Sequence, residues 1–350
     1  MEQDKEERKR LLESSTASLK NTLKIYIYVY GDQFHKATIY KWFTMFRFFK
    51  PTRMQIFQSG RYVPKRFSEE ALRDATLDDK TTMLCLYNTT WGEMIAYWDE
   101  LAAYFSFKLP LDLWEDRKTE IMHNYQEIFV EFGGCFGFAV NRFDDEIIQN
   151  PRNIDLYDTY QVSDADFPGI KNIPVVLKDS PLPYPLYEID PSYLPGHREN
   201  YGYISFTSAP YMWFGPDYTG FFSPRKLAGF KDCQENVEFD AGFRRICLWD
   251  NIAEYNAPLY RKRQWAFRNA MKLNKTVKKL NSKPFVPKKG GRKPEPSIEF
   301  FTGNFPHGGT LLAKLYVDKN GKECSRSFAS ACIHREMAGN TIVWQERIEL

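Results

Sequence analysis

Between Tyr201 and Leu273 the chain changes its hydrophobic period several times, and this stretch limits the fold more than any other. Tyr201–Ser208 alternates, with Ile204 and Phe206 on one side and Tyr203, Ser205 and Thr207 on the other, which predicts a half-buried strand. Ala209-Pro210 ends it, because proline cannot donate to a sheet ladder. Ser223-Pro224 is a helix start, an N-cap residue before proline at the first helical position, and predicts a short helix to Phe230. Phe243–Trp249 is a second strand, and Asn256-Ala-Pro258 opens a longer helix carrying Trp265, Phe267 and Met271. Strand, helix, strand, helix in this order predicts an α+β layer: a mixed or antiparallel sheet with helices packed on one side.

The first part of the chain has the same rhythm. A charged segment over 1–23 precedes Lys24–Tyr30, where Ile25, Ile27 and Val29 alternate with Tyr26, Tyr28 and Tyr30. A helix then follows from about His35 to Phe49, with Ile39, Trp42, Phe43, Phe46 and Phe49 forming one apolar stripe. Strands are expected at Met54–Phe57, Thr82–Tyr87 and Cys135–Val140. Helices are expected from Ser68, from about Gly92 to Tyr104 using Met94, Ile95, Trp98 and Leu101, and from Trp114 to Phe129. Eight prolines make 150–198 irregular, so the α+β body runs over 24–273 with that segment between its halves. Residues 274–296 read as a basic flexible tether, and 297–350 as a small all-β appendage built around the Asn320-Gly321 hairpin turn. No run of eighteen apolar residues and no leading hydrophobic segment is present, so a cytoplasmic protein without membrane contact is expected.

Net charge is +3, but Arg261–Lys293 holds 13 of the 48 basic residues and no acidic one. The other 35 basic residues face 45 acidic ones, a net of −10. An acidic body thus carries one basic segment, 261–293. Lys278, Lys279, Lys288, Lys289, Arg292 and Lys293 there are candidates for phosphate contact, with Trp265 and Phe267 as candidate stacking rings. That pattern defines one class of function, a nucleic-acid-binding accessory protein. Asp144-Asp145-Glu146 follows a strand and defines a second, a divalent-metal nuclease, against the plainer reading of a solvated loop or helix start. No cysteine or histidine spacing predicts a metal site, no G-x-S-x-G or phosphate-binding loop occurs, and no cofactor is expected.

At Gln58-Ser-Gly-Arg-Tyr62, Ser68-Glu-Glu-Ala-Leu72 and Leu86-Tyr-Asn-Thr-Thr-Trp-Gly92 the first half resembles a family of bacterial polymorphic-toxin immunity proteins, immunity protein family 52. Trp213-Phe-Gly-Pro216, Phe222-Ser-Pro-Arg-Lys-Leu227 and Trp249-Asp250…Tyr255-Asn-Ala-Pro258 continue the resemblance, which covers about 24–273. Tyr87-Asn88-Thr89 stands where the family carries Trp-Asn-Gly. The resemblance implies a cytoplasmic inhibitor that binds a cognate toxin, often a nuclease, without catalytic residues of its own. Exposed aromatic side chains would anchor such an interface, and Trp91, Tyr211 and Trp213, each expected in a loop, are the candidates.

Overall fold

The structure is a computed structural model that describes residues 13–30, 36–78, 80–88, 92–99, 102–149, 162–163, 165–167, 172–178, 186–202, 204–282, 298–321, 329–339 and 341–350. It is α+β and divides into two units, Met1–Pro284 and Phe285–Leu350. The first unit is built on a ten-stranded sheet in which every ladder is antiparallel, in the order β13 (Glu235–Asp240), β14 (Phe243–Cys247), β12 (Tyr211–Phe214), β7 (Gly134–Asn141), β1 (Thr22–Tyr30), β6 (Ala102–Pro110), β5 (Glu93–Trp98), β4 (Thr81–Tyr87), β2 (Arg53–Gln58) and β3 (Arg61–Arg66), while β8 (Val175–Lys178) and β9 (Leu186–Ile189) pair separately.

The strand predicted at Lys24–Tyr30 is β1 (Thr22–Tyr30), and it lies near the middle of the sheet between β6 (Ala102–Pro110) and β7 (Gly134–Asn141). Its Ile25, Ile27 and Val29 enter one large apolar core. Over that face lie α1 (Lys36–Thr44), α2 (Glu69–Leu77) and α3 (Leu111–Glu131). The predicted stripe of α1 and its following turn, Ile39 through Phe49, is buried there, and Ser68 caps α2 by accepting from the Ala71 N–H at 3.1 Å. Gly137 on β7 is required by close approach. A Cβ there would lie 1.9 Å from the Tyr125 hydroxyl, which donates to the Tyr26 carbonyl at 2.7 Å.

Helices cover part of the other face as well, so the expectation of a one-sided layer is corrected. There α4 (Arg142–Gln149), α6 (Pro258–Met271) and α7 (Leu273–Asn281) follow the sheet, together with the short α5 (Pro224–Gly229). Phe214 of β12 (Tyr211–Phe214) meets Phe267 of α6 at 6.1 Å, and Phe230, just past α5, meets the same ring at 5.4 Å.

Four further expectations are corrected. The helix expected over 92–104 is two strands, β5 (Glu93–Trp98) and β6: Met94, Ala96 and Trp98 are buried, which is period two, and the pairs from Glu93↔Lys108 to Trp98↔Ala103 close the ladder. The strand expected over Tyr201–Ser208 is a small hairpin, β10 (Glu199–Tyr201) and β11 (Ile204–Phe206), turned at Gly202 with φ 57°. The start of the expected coil at 274–296 is helical: α7 runs through Asn281 with Leu273 and Val277 buried. Finally, β12 was not expected. It is buried along its length, so it has no alternation to read.

The second unit, among its described residues, is a four-stranded antiparallel sheet in the order β15-β16-β17-β18. Its strands are Ile298–Thr302, Leu311–Val317, Ala331–Ala338 and Thr341–Glu349. Asp318 starts the expected turn after β16, accepting from the Asn320 N–H at 2.8 Å, and Gly321 takes φ 76°.

Candidate functional site

The carboxylates at Asp144-Asp145-Glu146 sit at the start of α4, where the Asn141 side chain accepts from the N–H groups of Phe143 (2.9 Å) and Asp144 (3.3 Å). The two aspartates are not solvated. Asp144 is 1% and Asp145 6% exposed, and each is held by an arginine from far along the chain. Arg261 on α6 makes a two-pronged contact with Asp144, at 3.1 Å to Oδ2 and 2.5 Å to Oδ1. Arg198 donates to Asp145, which also accepts the Tyr26 hydroxyl. The Arg198 guanidinium lies 4.5 Å over the Tyr26 ring and 4.6 Å over Phe138.

Burial pushes the Asp144 carboxyl up, and Arg261 offsets only part of that push. Burial opposes the Arg198 charge too, but Asp145, then Tyr26, outweighs it and raises the guanidinium pKa. The cavity among Phe138, Asp144, Asp145, Arg198, Ser208 and Gln264 is about 10 Å³, room for about one water at most. Glu146 pairs with Arg142 at 3.6 Å. The arginines therefore hold the two aspartates that a metal would need, and no group of three His, Cys, Asp or Glu among the described residues is placed to hold an ion. This network clamps α4, α6 and the segment around Arg198 to the sheet.

A second buried cluster clamps the junction of α6 and α7. Arg268, 2% exposed, donates to the His197 carbonyl (2.8 Å), to the Asn274 side chain (2.7 Å) and to His197 Nε2 (2.6 Å). That geometry assigns the ring proton to Nδ1, which donates to the Leu194 carbonyl. Burial lowers the Arg268 pKa to about 10.

The remaining candidates divide as follows. Tyr211 and Trp213 are not in a loop but on β12 and face the core: Trp213 packs on Tyr125 at 4.2 Å and Tyr211 on Trp114 at 5.7 Å. No surface presents either ring, because α3 packs over that face of β12 and leaves Tyr211 and Trp213 buried. Trp91 lies outside the described residues, as do Lys288, Lys289, Arg292 and Lys293. Lys278 and Lys279 are exposed on α7 beside Lys275, while Phe267 is buried and cannot stack on a base.

The structure opens a surface elsewhere. Cross-strand register puts Arg53, Gln55 and Phe57 of β2 (Arg53–Gln58) on one face with Arg66, Pro64 and Tyr62 of β3 (Arg61–Arg66). Tyr87, Cys85 and Met83 of β4 (Thr81–Tyr87) and Glu93, Ile95 and Tyr97 of β5 continue that face. It is the Tyr26 face of the sheet, but α4 and Arg198 cover it only at β1 and β7. Toward β3, Tyr62 is 56% and Tyr97 40% exposed, with Phe57, Met83, Tyr87 and Ile95 half-buried. On the opposite face of β2, β4 and β5, Met54, Ile56, Leu84, Leu86, Met94 and Ala96 lie in the core.

Phe57 and Tyr62 pack at 4.8 Å, and Tyr87 donates to Gln55 Oε1 at 3.2 Å, so the open rings are held in place. Arg53, Gln55, Pro64, Arg66 and Tyr87 line an open groove of about 590 Å³ at the sheet edge. Sequence reasoning missed Tyr62 and Tyr97. Their only signal was an aromatic ring on the polar side of an alternating strand.

No protein-family model and no curated protein matches the chain. Among solved structures, a T6SS protein of Pseudomonas aeruginosa is similar at 11% identity and a TM-score of 0.42, covering 71% of this chain and 72% of that one.

Proposed function

We propose that this chain is a cytoplasmic immunity-type protein that binds and neutralises a cognate toxin, such as a nuclease, one to one, docking it on the open half of the sheet. The observation that carries this reading is that half-sheet itself: exposed Tyr62 and Tyr97 among half-buried Phe57, Met83 and Ile95, on a rigid antiparallel frame. Interfaces take most of their energy from aromatic and arginine side chains on such a surface. The resemblance to toxin-immunity proteins supplies the class of partner. Four strands and six residues span roughly 20 by 20 Å, about half of what one partner in a standard interface buries, so flanking loops share the contact.

Purification from the native host tests this. A protein that co-elutes one to one, is toxic alone and is harmless with this chain supports the reading, and Tyr62→Ala with Tyr97→Ala then weakens binding at least tenfold. A chain that elutes alone and turns over a substrate refutes it. The second reading, a nucleic-acid-binding accessory protein, is favoured by exposed Lys275, Lys278 and Lys279 on α7. It requires duplex-DNA affinity that falls with a log–log salt slope of about −0.9 per phosphate contact and is abolished by Lys278→Glu with Lys279→Glu.

A further inference from the structure

We infer that the partner surface received by this half-sheet is acidic: a protein segment whose Asp or Glu side chains sit between the guanidinium groups of Arg53 and Arg66. The inference rests on the docking surface proposed above and adds the chemistry of what binds there.

Arg53 and Arg66 are directly opposite each other in the β2–β3 ladder and are both exposed. Like charges at paired positions disfavour a hairpin, and neither arginine has an acidic partner among the described residues. Glu93, the carboxylate on this face of the neighbouring strands, is already paired with Lys108. A carboxylate docked in the groove relieves the repulsion and meets guanidinium forks whose planar geometry matches it. The local field is the reverse of the acidic body around it, so it selects for a negative patch.

The partner uses the face of the sheet and not its edge. Ser59 (φ 49°) and Gly60 (φ 77°) form a two-residue turn that makes Gln58↔Arg61 the first hydrogen-bonded pair. Counting from that pair, Pro64 directs its missing N–H at the open edge, where it blocks strand addition. A protein fits better than a nucleic acid, because the arginines share their face with exposed Tyr62 and Tyr97 and half-buried Phe57, Met83 and Ile95, an apolar floor that suits the side chains of a protein partner rather than a phosphate backbone.

Fluorescein-labelled poly-L-glutamate and single-stranded dT20 are titrated against the full chain by anisotropy at low salt. We expect poly-L-glutamate to bind, with affinity reduced at least tenfold by Arg53→Glu with Arg66→Glu and changed less than twofold by Lys278→Glu with Lys279→Glu. No binding, binding indifferent to the Arg53/Arg66 change, or dT20 bound at least as tightly through the same two arginines overturns the inference. Acidic binding at Arg53 and Arg66 without any toxin in the native-host experiment would sink the functional reading alone. A captured toxin whose association rate ignores both salt and the two arginines would sink this inference alone.

Discussion

Replacing Arg261 with Met tests whether the Asp144 network is a clamp. Methionine keeps much of the apolar stem but removes the two-pronged contact at 3.1 and 2.5 Å and leaves a carboxyl that is 1% exposed without its cation. Breaking a buried pair from one side costs about 3–5 kcal/mol. The loss depends on pH, and its sign follows from Asp144. Its folded pKa is already above the ordinary 3.8 because of burial, and removing Arg261 raises it further. Between the unfolded and folded values the native state keeps a proton that the unfolded chain has lost. Stability in that window therefore falls by about 1.4 kcal/mol per pH unit as pH rises. The deficit of Arg261→Met relative to wild type is accordingly larger at pH 8 than at pH 5. Urea unfolding followed by tryptophan fluorescence measures it, since of the eight tryptophans only Trp344 lies in the second unit. Asp144→Leu combined with Arg261→Met should recover at least about 2 kcal/mol of the loss, because the stranded charge is gone. A deficit below about 1 kcal/mol, equal deficits at both pH values, or a double variant no better than the single one would refute the clamp.

Two other predictions concern packing and pH. Gly137→Ala pushes a methyl to within 1.9 Å of the Tyr125 hydroxyl and 2.9 Å of the Tyr26 carbonyl, so overpacking and the loss of a buried hydrogen bond should destabilise the first unit by about 3 kcal/mol, read in the same urea titration. In the second unit burial opposes the Glu336 charge, but the ring and backbone N–H of His307 and the N–H of Gly309 outweigh it and hold its carboxyl below 4.5. That support is present above the unfolded value and is lost as pH falls through the folded one. Amide exchange at His307 and Gly309 should therefore show reduced protection at pH 3 relative to pH 6, once corrected for intrinsic rates, and Glu336→Gln should reduce protection at both.

The sequence by itself determined what short-range physics decides. Alternation at Lys24–Tyr30 needs only the pleat of a strand, the stripe from Ile39 to Phe49 only the pitch of a helix, and the Ser68 cap only the unpaired N–H groups of a first turn. The helix from Pro258 and the turn before Gly321 were legible for the same reason. Tertiary structure decided the rest. Glu93–Trp98 has apolar residues that suit either period, and its pairing with β6 selects the strand. Tyr211–Phe214 is buried on both faces, so no alternation marks it, and its rings look like loop anchors until β7 and β14 (Phe243–Cys247) close on either side. Asp145 and Arg198 are 53 residues apart, and no local pattern announces their contact. The candidate surface shows the limit most clearly. Tyr26 and Tyr62 lie on the same face of one sheet, yet one is 1% and the other 56% exposed. What separates them is where α4 and Arg198 come to rest, and that is set by the packing of the whole unit, not by the residues beside either tyrosine.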